Sequence, residues 1–168
     1  MKKYYLLILL TVTSIEEGFS QNNTDRKFGA LIEFGALRSA SNSIYSAPGA
    51  NRLRISGHKN LDNVSIGVGF GLDGYSYYNT APLFLDIRLT KYNKFTPFIC
   101  LGNAMKLGPL FESGPMVNVG IATNLLPNKQ WLKASVSYNY QKLNTAVFDQ
   151  IDVTQSSAAF GLIFSPWN

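Results

Sequence analysis

The sequence predicts an all-β protein, an eight-stranded antiparallel up-and-down transmembrane β-barrel. Three observations predict it. Residues 1–20 have the form of an export signal, eight later segments alternate apolar with small or polar residues, and the connections between those segments alternate long and short.

The signal decides what belongs to the fold. Lys2 and Lys3 make a positive n-region, Tyr4 to Ile15 make an apolar run of h-region length, and Gly18-Phe19-Ser20 places small residues at −3 and −1 of a cut before Gln21. The apolar run is shorter than the ~20 residues a spanning helix needs. Residues 1–20 are therefore expected to be a cleaved signal peptide and residues 21–168 the barrel domain. Cleavage removes Lys2, Lys3, Glu16 and Glu17 and so leaves the net charge at +5. No Cys stands directly after the apolar run, which argues against a lipid anchor, and no later stretch approaches a spanning helix. Any membrane insertion must use strands.

Composition narrows the class. Residues 21–168 suffice for one domain. The single cysteine, Cys100, excludes an internal disulfide in an exported protein. Charged residues make up 15% of the chain, against about 25% in an ordinary soluble domain. That shortfall suits a surface facing something other than water. The pI near 9.3 does not indicate nucleic acid, because the basic residues are scattered beyond Arg52-Leu53-Arg54.

The strands follow in order. In Lys27 to Leu37, Phe28, Ala30, Ile32, Phe34 and Ala36 oppose Gly29, Leu31, Glu33 and Gly35. Leu53 and Ile55 oppose Arg52, Arg54 and Ser56. The clearest segment runs from Val64 to Leu72: Val64, Ile66, Val68, Phe70 and Leu72 against Ser65, Gly67, Gly69 and Gly71. Leu83, Leu85, Ile87 and Leu89 oppose Phe84, Asp86 and Arg88. Phe95 to Asn103 is mostly apolar, and its facing stays open. Val117, Val119 and Ile121 oppose Met116, Asn118 and Gly120. Leu132, Ala134, Val136, Tyr138 and Tyr140 oppose Lys133, Ser135, Ser137 and Asn139. Ala158, Phe160, Leu162 and Phe164 oppose Ala159, Gly161 and Ile163. Each strand thus has one apolar and one polar or small face.

Periodicity alone does not say which face points inward, because the apolar face is a core in a soluble β protein and a lipid face in a membrane barrel. The connections discriminate. Residues 38–49, 73–80, 104–113 and 141–155 are long and rich in Ser, Asn, Tyr and Gly, while Lys59 to Asp62, Lys91 to Asn93 and Leu125 to Gln130 are tight. Short periplasmic turns alternating with longer outer loops characterise outer-membrane barrels. A Greek-key sandwich has no reason to keep that rhythm.

The charges agree. Glu33, Arg52, Arg54, Asp86, Arg88 and Lys133 all fall opposite the lipid candidates. An Arg or Lys facing mid-bilayer costs about 2–4 kcal/mol. Glu33 and Asp86 are expected among Arg52, Arg54 and Arg88 in a lumen network, with Gly67, Gly69 and Gly71 making room. An eight-stranded barrel is just wide enough for its side chains to fill, so the expected lumen is a packed plug. Interface rings are expected in two girdles, Tyr75, Tyr77, Tyr78, Tyr138 and Tyr140 at the outer boundary and Trp131 and Trp167, with Tyr92 and Phe95, at the opposite rim.

On these patterns, on Asn63-Val64-Ser65-Ile66-Gly67-Val68-Gly69-Phe70-Gly71 and on the last strand, residues 26–168 resemble the porin-like outer-membrane β-barrel domain family, whose small members are the OmpA- and OmpX-like barrels. The resemblance implies location more than activity. It implies a terminal aromatic read by the barrel-assembly machinery, a place that Trp167 takes after Phe160, Leu162 and Phe164. It also raises lipid-modifying barrel enzymes with a His-centred site. His58 is the sole histidine, beside the Lys59–Asp62 turn at the periplasmic end, whereas such sites lie toward the outer leaflet. No Gly-x-Ser-x-Gly elbow occurs, one His makes no metal cluster, and Cys100 suits a small strand residue better than a nucleophile.

The expectation is therefore a non-enzymatic integral outer-membrane barrel without cofactor or metal. Its partners would be outer-membrane lipid, the assembly machinery and a surface partner at the loops Ser39–Gly49, Asp73–Thr80, Ala104–Ser113 and Gln141–Gln155, with no nucleic acid. The alternatives are a soluble periplasmic lipocalin-like barrel holding a small apolar ligand, with its charged face outward, and a barrel enzyme or narrow channel.

Overall fold

A computed structural model describes residues 28–39, 50–75, 78–91, 94–108, 113–126, 129–143 and 153–165. The expected signal peptide, residues 1–20, together with residues 21–27, Tyr77, Tyr92, Trp167 and most of the expected long connections, lies outside the described residues. Eight strands form: β1 (Phe28–Ser39), β2 (Ala50–Leu61), β3 (Val64–Gly74), β4 (Asn79–Leu89), β5 (Phe95–Leu107), β6 (Ser113–Leu126), β7 (Lys129–Leu143) and β8 (Val153–Phe164). Each pairs antiparallel with the next, and β8 returns to β1 to close the barrel. Closure runs from Ile32 opposite Phe164 to Ser39 opposite Ser157.

The strands outrun the apolar patterning at the long-connection end. β3 continues through Asp73-Gly74 and β4 starts at Asn79, so the expected connection 73–80 shrinks to residues 75–78. Likewise β5 runs to Leu107, β7 to Leu143, and β8 begins at Val153. Ladder hydrogen bonds use backbone groups, so pairing continues where side chains have turned polar. At the other end residues 62–63 alone join β2 to β3, because Gly57, His58 and Lys59 pair with β3 and form no turn. The β3–β4 ladder lapses between Phe70–Leu83 and Asp73–Thr80. Pro82 lies in that gap and has no N–H to donate.

The alternation faces apolar side chains outward along every strand. Val68 is 67% exposed, Phe70 61% and Leu83 61%, whereas Arg52, Arg54, Asp86, Asn118 and Asn139 are buried. The open facing of β5 resolves with Thr96, Phe98 and Cys100 inward and Phe95, Leu101 and Met105 outward. Within the lumen Leu31, Phe84, Phe98, Cys100, Ala104, Met116, Ala122 and Ile163 form an apolar cluster.

Lumen glycines sit against the largest inward side chains. A Cβ on Gly67 would lie 2.7 Å from the His58 ring, on Gly69 2.6 Å from Phe84, on Gly71 2.7 Å from Arg54 Cγ, and on Gly120 2.6 Å from Phe98. Each glycine faces its large neighbour directly across the ladder. The Gly-rich face of β3 is thus a steric requirement of a narrow lumen, and a one-residue slip would destroy it.

Gly69→Leu is expected to lower unfolding stability in detergent by about 1–3 kcal/mol through overpacking. Val68→Leu, one residue away on the outer face, is expected to stay within ~0.5 kcal/mol. A urea titration of both variants checks this; equal losses would show that the glycines are not shaped by the lumen.

Candidate functional site

The inward charges gather in two groups. In the first, β2 places Arg52 and Arg54 on one face, and the pairing of β2 with β3 sets Arg52 opposite Asp73. Arg52 Nε donates to Asp73 Oδ1 at 3.0 Å, and Arg54 Nη2 donates to Asp73 Oδ2 at 2.9 Å. Arg54 also spans the lumen, its Nη2 lying 3.4 Å from Asn139 Oδ1 and 3.4 Å from Met116 Sδ. Oriented to satisfy its neighbours, the Asn118 amide accepts from Arg54 Nη1 at 3.2 Å and donates to Ser137 Oγ at 2.9 Å. The Arg54 guanidinium lies 5.2 Å from the Phe84 ring centre, within cation–π range. Thr80, Gln141 and Ser157, also buried, keep side-chain polar atoms without a hydrogen-bond partner among the described residues, so this half is polar well beyond its ion pairs.

The second group stands nearer the short turns. Asp86 and Arg88 share the inner face of β4, and Arg88 Nη2 donates to Asp86 Oδ2 at 2.8 Å while Nε donates to the same oxygen at 2.9 Å. Gly67 separates His58 from Asp86 on one rung of the sheet and carries no side chain to keep them apart. His58 Nε2 therefore reaches Asp86 Oδ2 at 3.3 Å and Ser56 Oγ at 2.9 Å, and Nδ1 meets Ser65 Oγ at 3.1 Å. Arg88 rests 4.7 Å from the Phe98 ring centre.

Ser65, His58 and Asp86 form a hydroxyl–imidazole–carboxylate string, yet its polarity is wrong for nucleophilic catalysis. Ser65 Oγ donates to Asn60 Oδ1 at 2.9 Å, and in that arrangement its oxygen faces His58 Nδ1 as an acceptor and its proton points away from the ring. The string is a satisfied buried network. Among the described residues no group of three His, Cys, Asp or Glu side chains gathers as a metal site.

Against the sequence expectation, one network becomes two. Asp86 pairs with Arg88 but not with Arg52 or Arg54, whose partner is Asp73. Asp73 was expected in an outer loop; because β3 extends past Leu72, it is a fully buried lumen residue. Glu33 is buried, accepts from Ser135 Oγ at 3.4 Å, and has no ion pair among the described residues. Lys133 is half-buried and its Nζ lies 3.5 Å from Thr96 Oγ1. His58, read as beside a turn, is buried within β2. The missed signal for both is parity: Asp73 continues Gly67, Gly69 and Gly71, and His58 continues Arg52, Arg54 and Ser56.

The aromatic rings divide as well. Tyr138 and Tyr140 face outward, as does Trp131, whose ring stacks on Phe164 with centres 6.4 Å apart. Tyr75, expected at an interface, is 5% exposed and packs with Leu37, Ala50 and Ala159 at the long-connection mouth. It belongs to the inward series of β3, which brings the ring over the lumen. Tyr78 packs against the same group with ring centres 5.0 Å from Tyr75, and its hydroxyl donates to Gln155 Oε1. Burial, together with the Asp73 carboxylate, pushes the Tyr75 phenol above its usual range, and burial pushes Tyr78 up to about 12. Both phenols stay protonated through neutral pH. Tyr77 and Trp167 lie outside the described residues.

No protein-family model matches the chain, and no curated protein matches it. Solved structures do. Neisserial surface protein A is similar at a TM-score of 0.56 and 14% identity, over 84% of this chain and 99% of that one. The N-terminal β-barrel domain of Pseudomonas aeruginosa OprF is similar at 0.54 and 15%, over 82% and 96%. Ail, the attachment invasion locus protein of Yersinia pestis, is similar at 0.54 and 13%, over 82% and 97%, and has also been solved with the heparin analogue sucrose octasulfate. At these identities the likeness is one of fold: this chain has the closed eight-stranded antiparallel barrel of those small proteins.

Removing one partner of a buried ion pair leaves an uncompensated charge, at a cost of about 3–5 kcal/mol. Asp73→Asn is expected to fall in that range by urea unfolding, because two arginines depend on it. Glu33→Gln, with no ion pair to lose, is expected to cost about 1 kcal/mol or less. Equal losses would contradict the assignment of Asp73 as the hub.

Proposed function

We propose that the protein is an integral outer-membrane β-barrel with a side-chain-filled lumen, acting as a structural or surface-interaction protein through the connections at its long-loop end. The observation that carries this reading is the reversed polarity of the barrel. Large apolar side chains from all eight strands are exposed, among them Phe34, Ile55, Val68, Leu85, Leu101, Val119, Val136 and Phe160, while ion pairs and amides fill the inside. In water such an exterior far exceeds the apolar patches that monomeric soluble proteins display. In hydrocarbon it is the required surface, and the closed ladder leaves no strand edge to satisfy. The small outer-membrane barrels of the same fold support the location.

Residues 1–20 then serve as the signal peptide and residues 21–168 as the barrel domain, delivered to the barrel-assembly machinery. Both termini of the barrel fall at the short-turn end, which this reading places in the periplasm. Outer-membrane lipid is the partner of the exterior, and a surface partner belongs at the long connections. That Ail has been solved in complex with the heparin analogue sucrose octasulfate supports a binding role for a barrel of this fold. The interior argues against the soluble lipocalin-like alternative, since Arg52, Arg54, Asp73 and Asp86 occupy the space an apolar ligand would need. The engaged hydrogen bonds of His58 and Ser65 favour a non-enzymatic role.

Fractionation of expressing cells tests this directly. The protein is expected in the outer-membrane fraction, with unheated samples migrating differently from boiled ones because the barrel survives cold detergent. Recovery as a soluble periplasmic protein without a mobility shift would contradict it. As a finer test, Val68→Arg is expected to cost about 2–4 kcal/mol of stability in lipid bilayers. A neutral effect there would mean that this face does not meet hydrocarbon.

A further inference from the structure

The lumen opens at the short-turn end into a cavity of about 30 Å³. Its wall includes Lys133, Arg88, His58, Thr96, Ser65 and Ser165, and among the described residues no carboxylate lines it. The cations differ in how far they are committed. Arg88 is held by Asp86 behind the wall, and His58 is engaged by Ser56, Ser65 and Asp86. Lys133 is different: its Nζ has Thr96 Oγ1 at the outer limit of hydrogen bonding, 3.5 Å, and no ion pair among the described residues. Glu33 is the nearest inward carboxylate along the sheet, across Ile163 from Lys133, and it receives Ser135. A half-buried ammonium without a counter-charge is costly, and an anion placed against it relieves that cost.

A second observation points the same way. Ser165 closes β8, where its N–H donates to the Trp131 carbonyl at 2.7 Å. That bond fixes the residue so that its side chain lines the cavity. The Ser165 hydroxyl is buried, the residue being 1% exposed, and has no hydrogen-bond partner among the described residues. Buried hydroxyls are satisfied in nearly all proteins. An ammonium, the Ser165 and Thr96 hydroxyls and a guanidinium thus meet at a cavity that no carboxylate lines among the described residues.

We propose that this vestibule is an oxyanion site for a phosphate group, held by Lys133 Nζ and the Thr96 and Ser165 hydroxyls, with Arg88 adding positive charge from the wall. The group could be supplied as free inorganic phosphate or as the exposed monoester headgroup of a phospholipid at the same membrane face. Both present the same tetrahedral cluster of acceptor oxygens, for which charge-assisted donors are suited. The inference is independent of the surface role proposed above, since it concerns the opposite end and requires only the folded barrel.

Phosphorus NMR of the folded full-length barrel, titrated with inorganic phosphate in zwitterionic detergent, tests the site. A second arm compares nanodiscs containing phosphatidic acid with nanodiscs of phosphatidylcholine alone. Saturable binding is expected in at least one arm, weakened roughly tenfold or more by Lys133→Gln. Ser165→Ala, which removes only the hydroxyl, is expected to weaken it about two- to tenfold. Lys59→Gln, an exposed lysine at the same end, is expected to leave it unchanged. Binding of free phosphate assigns the small ion as the source, and a response confined to phosphatidic acid assigns the headgroup. Absence of saturable binding in both arms would overturn the proposal, as would equal losses from Lys59→Gln and Ser165→Ala, which would reduce it to general attraction toward a basic rim. Should Lys133→Gln fail to fold, the Ser165→Ala and Lys59→Gln comparison decides alone.

Discussion

Everything in this structure depends on the return of β8 to β1. Once that ladder closes, no strand carries an open edge, and the backbone has no need of water along its length. Closure at eight strands also fixes a narrow interior. Side chains must therefore be distributed by size as well as polarity: His58, Arg54, Phe84 and Phe98 each project against a glycine on the adjacent strand. The glycines, the inward charges and the exposed apolar faces are three consequences of one geometric constraint.

The interior divides its polarity. Asp73 compensates Arg52 and Arg54 in one half, and Asp86 compensates Arg88 in the other, with Phe84 and Phe98 beneath the arginine planes. Distributed in this way, each of these guanidiniums has a carboxylate within hydrogen-bond reach, and those of Arg54 and Arg88 also have a ring at their face. Lys133 is the departure, facing a cavity near the short turns with only a distant hydroxyl.

Much of this was legible in the sequence, and the remainder failed for identifiable reasons. The facing of Val64 to Leu72 could be read because Val, Ile, Phe and Leu alternate with Ser and Gly without a break. Phe95 to Asn103 could not, because Phe98 and Cys100 face the lumen's own apolar cluster and both faces are hydrophobic. Asp73 looked like a loop residue because Asp and Gly are turn formers, yet the ladder continues through them wherever a neighbouring strand supplies partners. Tyr75 was misplaced for a similar reason: aromatic character suggests a boundary, but parity carries this ring over the mouth. Six charges could be assigned to the inner face by alternation alone, whereas their pairing required the register, which sets Arg52 opposite Asp73 and aligns His58, Gly67 and Asp86.

The most direct test of the reversed polarity is the contact of individual side chains with lipid. Methyl NMR of the barrel in lipid nanodiscs, with a paramagnetic label carried deep in the acyl chains, distinguishes the two faces residue by residue. The account predicts strong broadening of Val68, Leu85, Val119, Val136 and Leu162 and protection of Leu31, Leu37 and Ile163. Protection of the first group with broadening of the second would contradict it and make the apolar face a core.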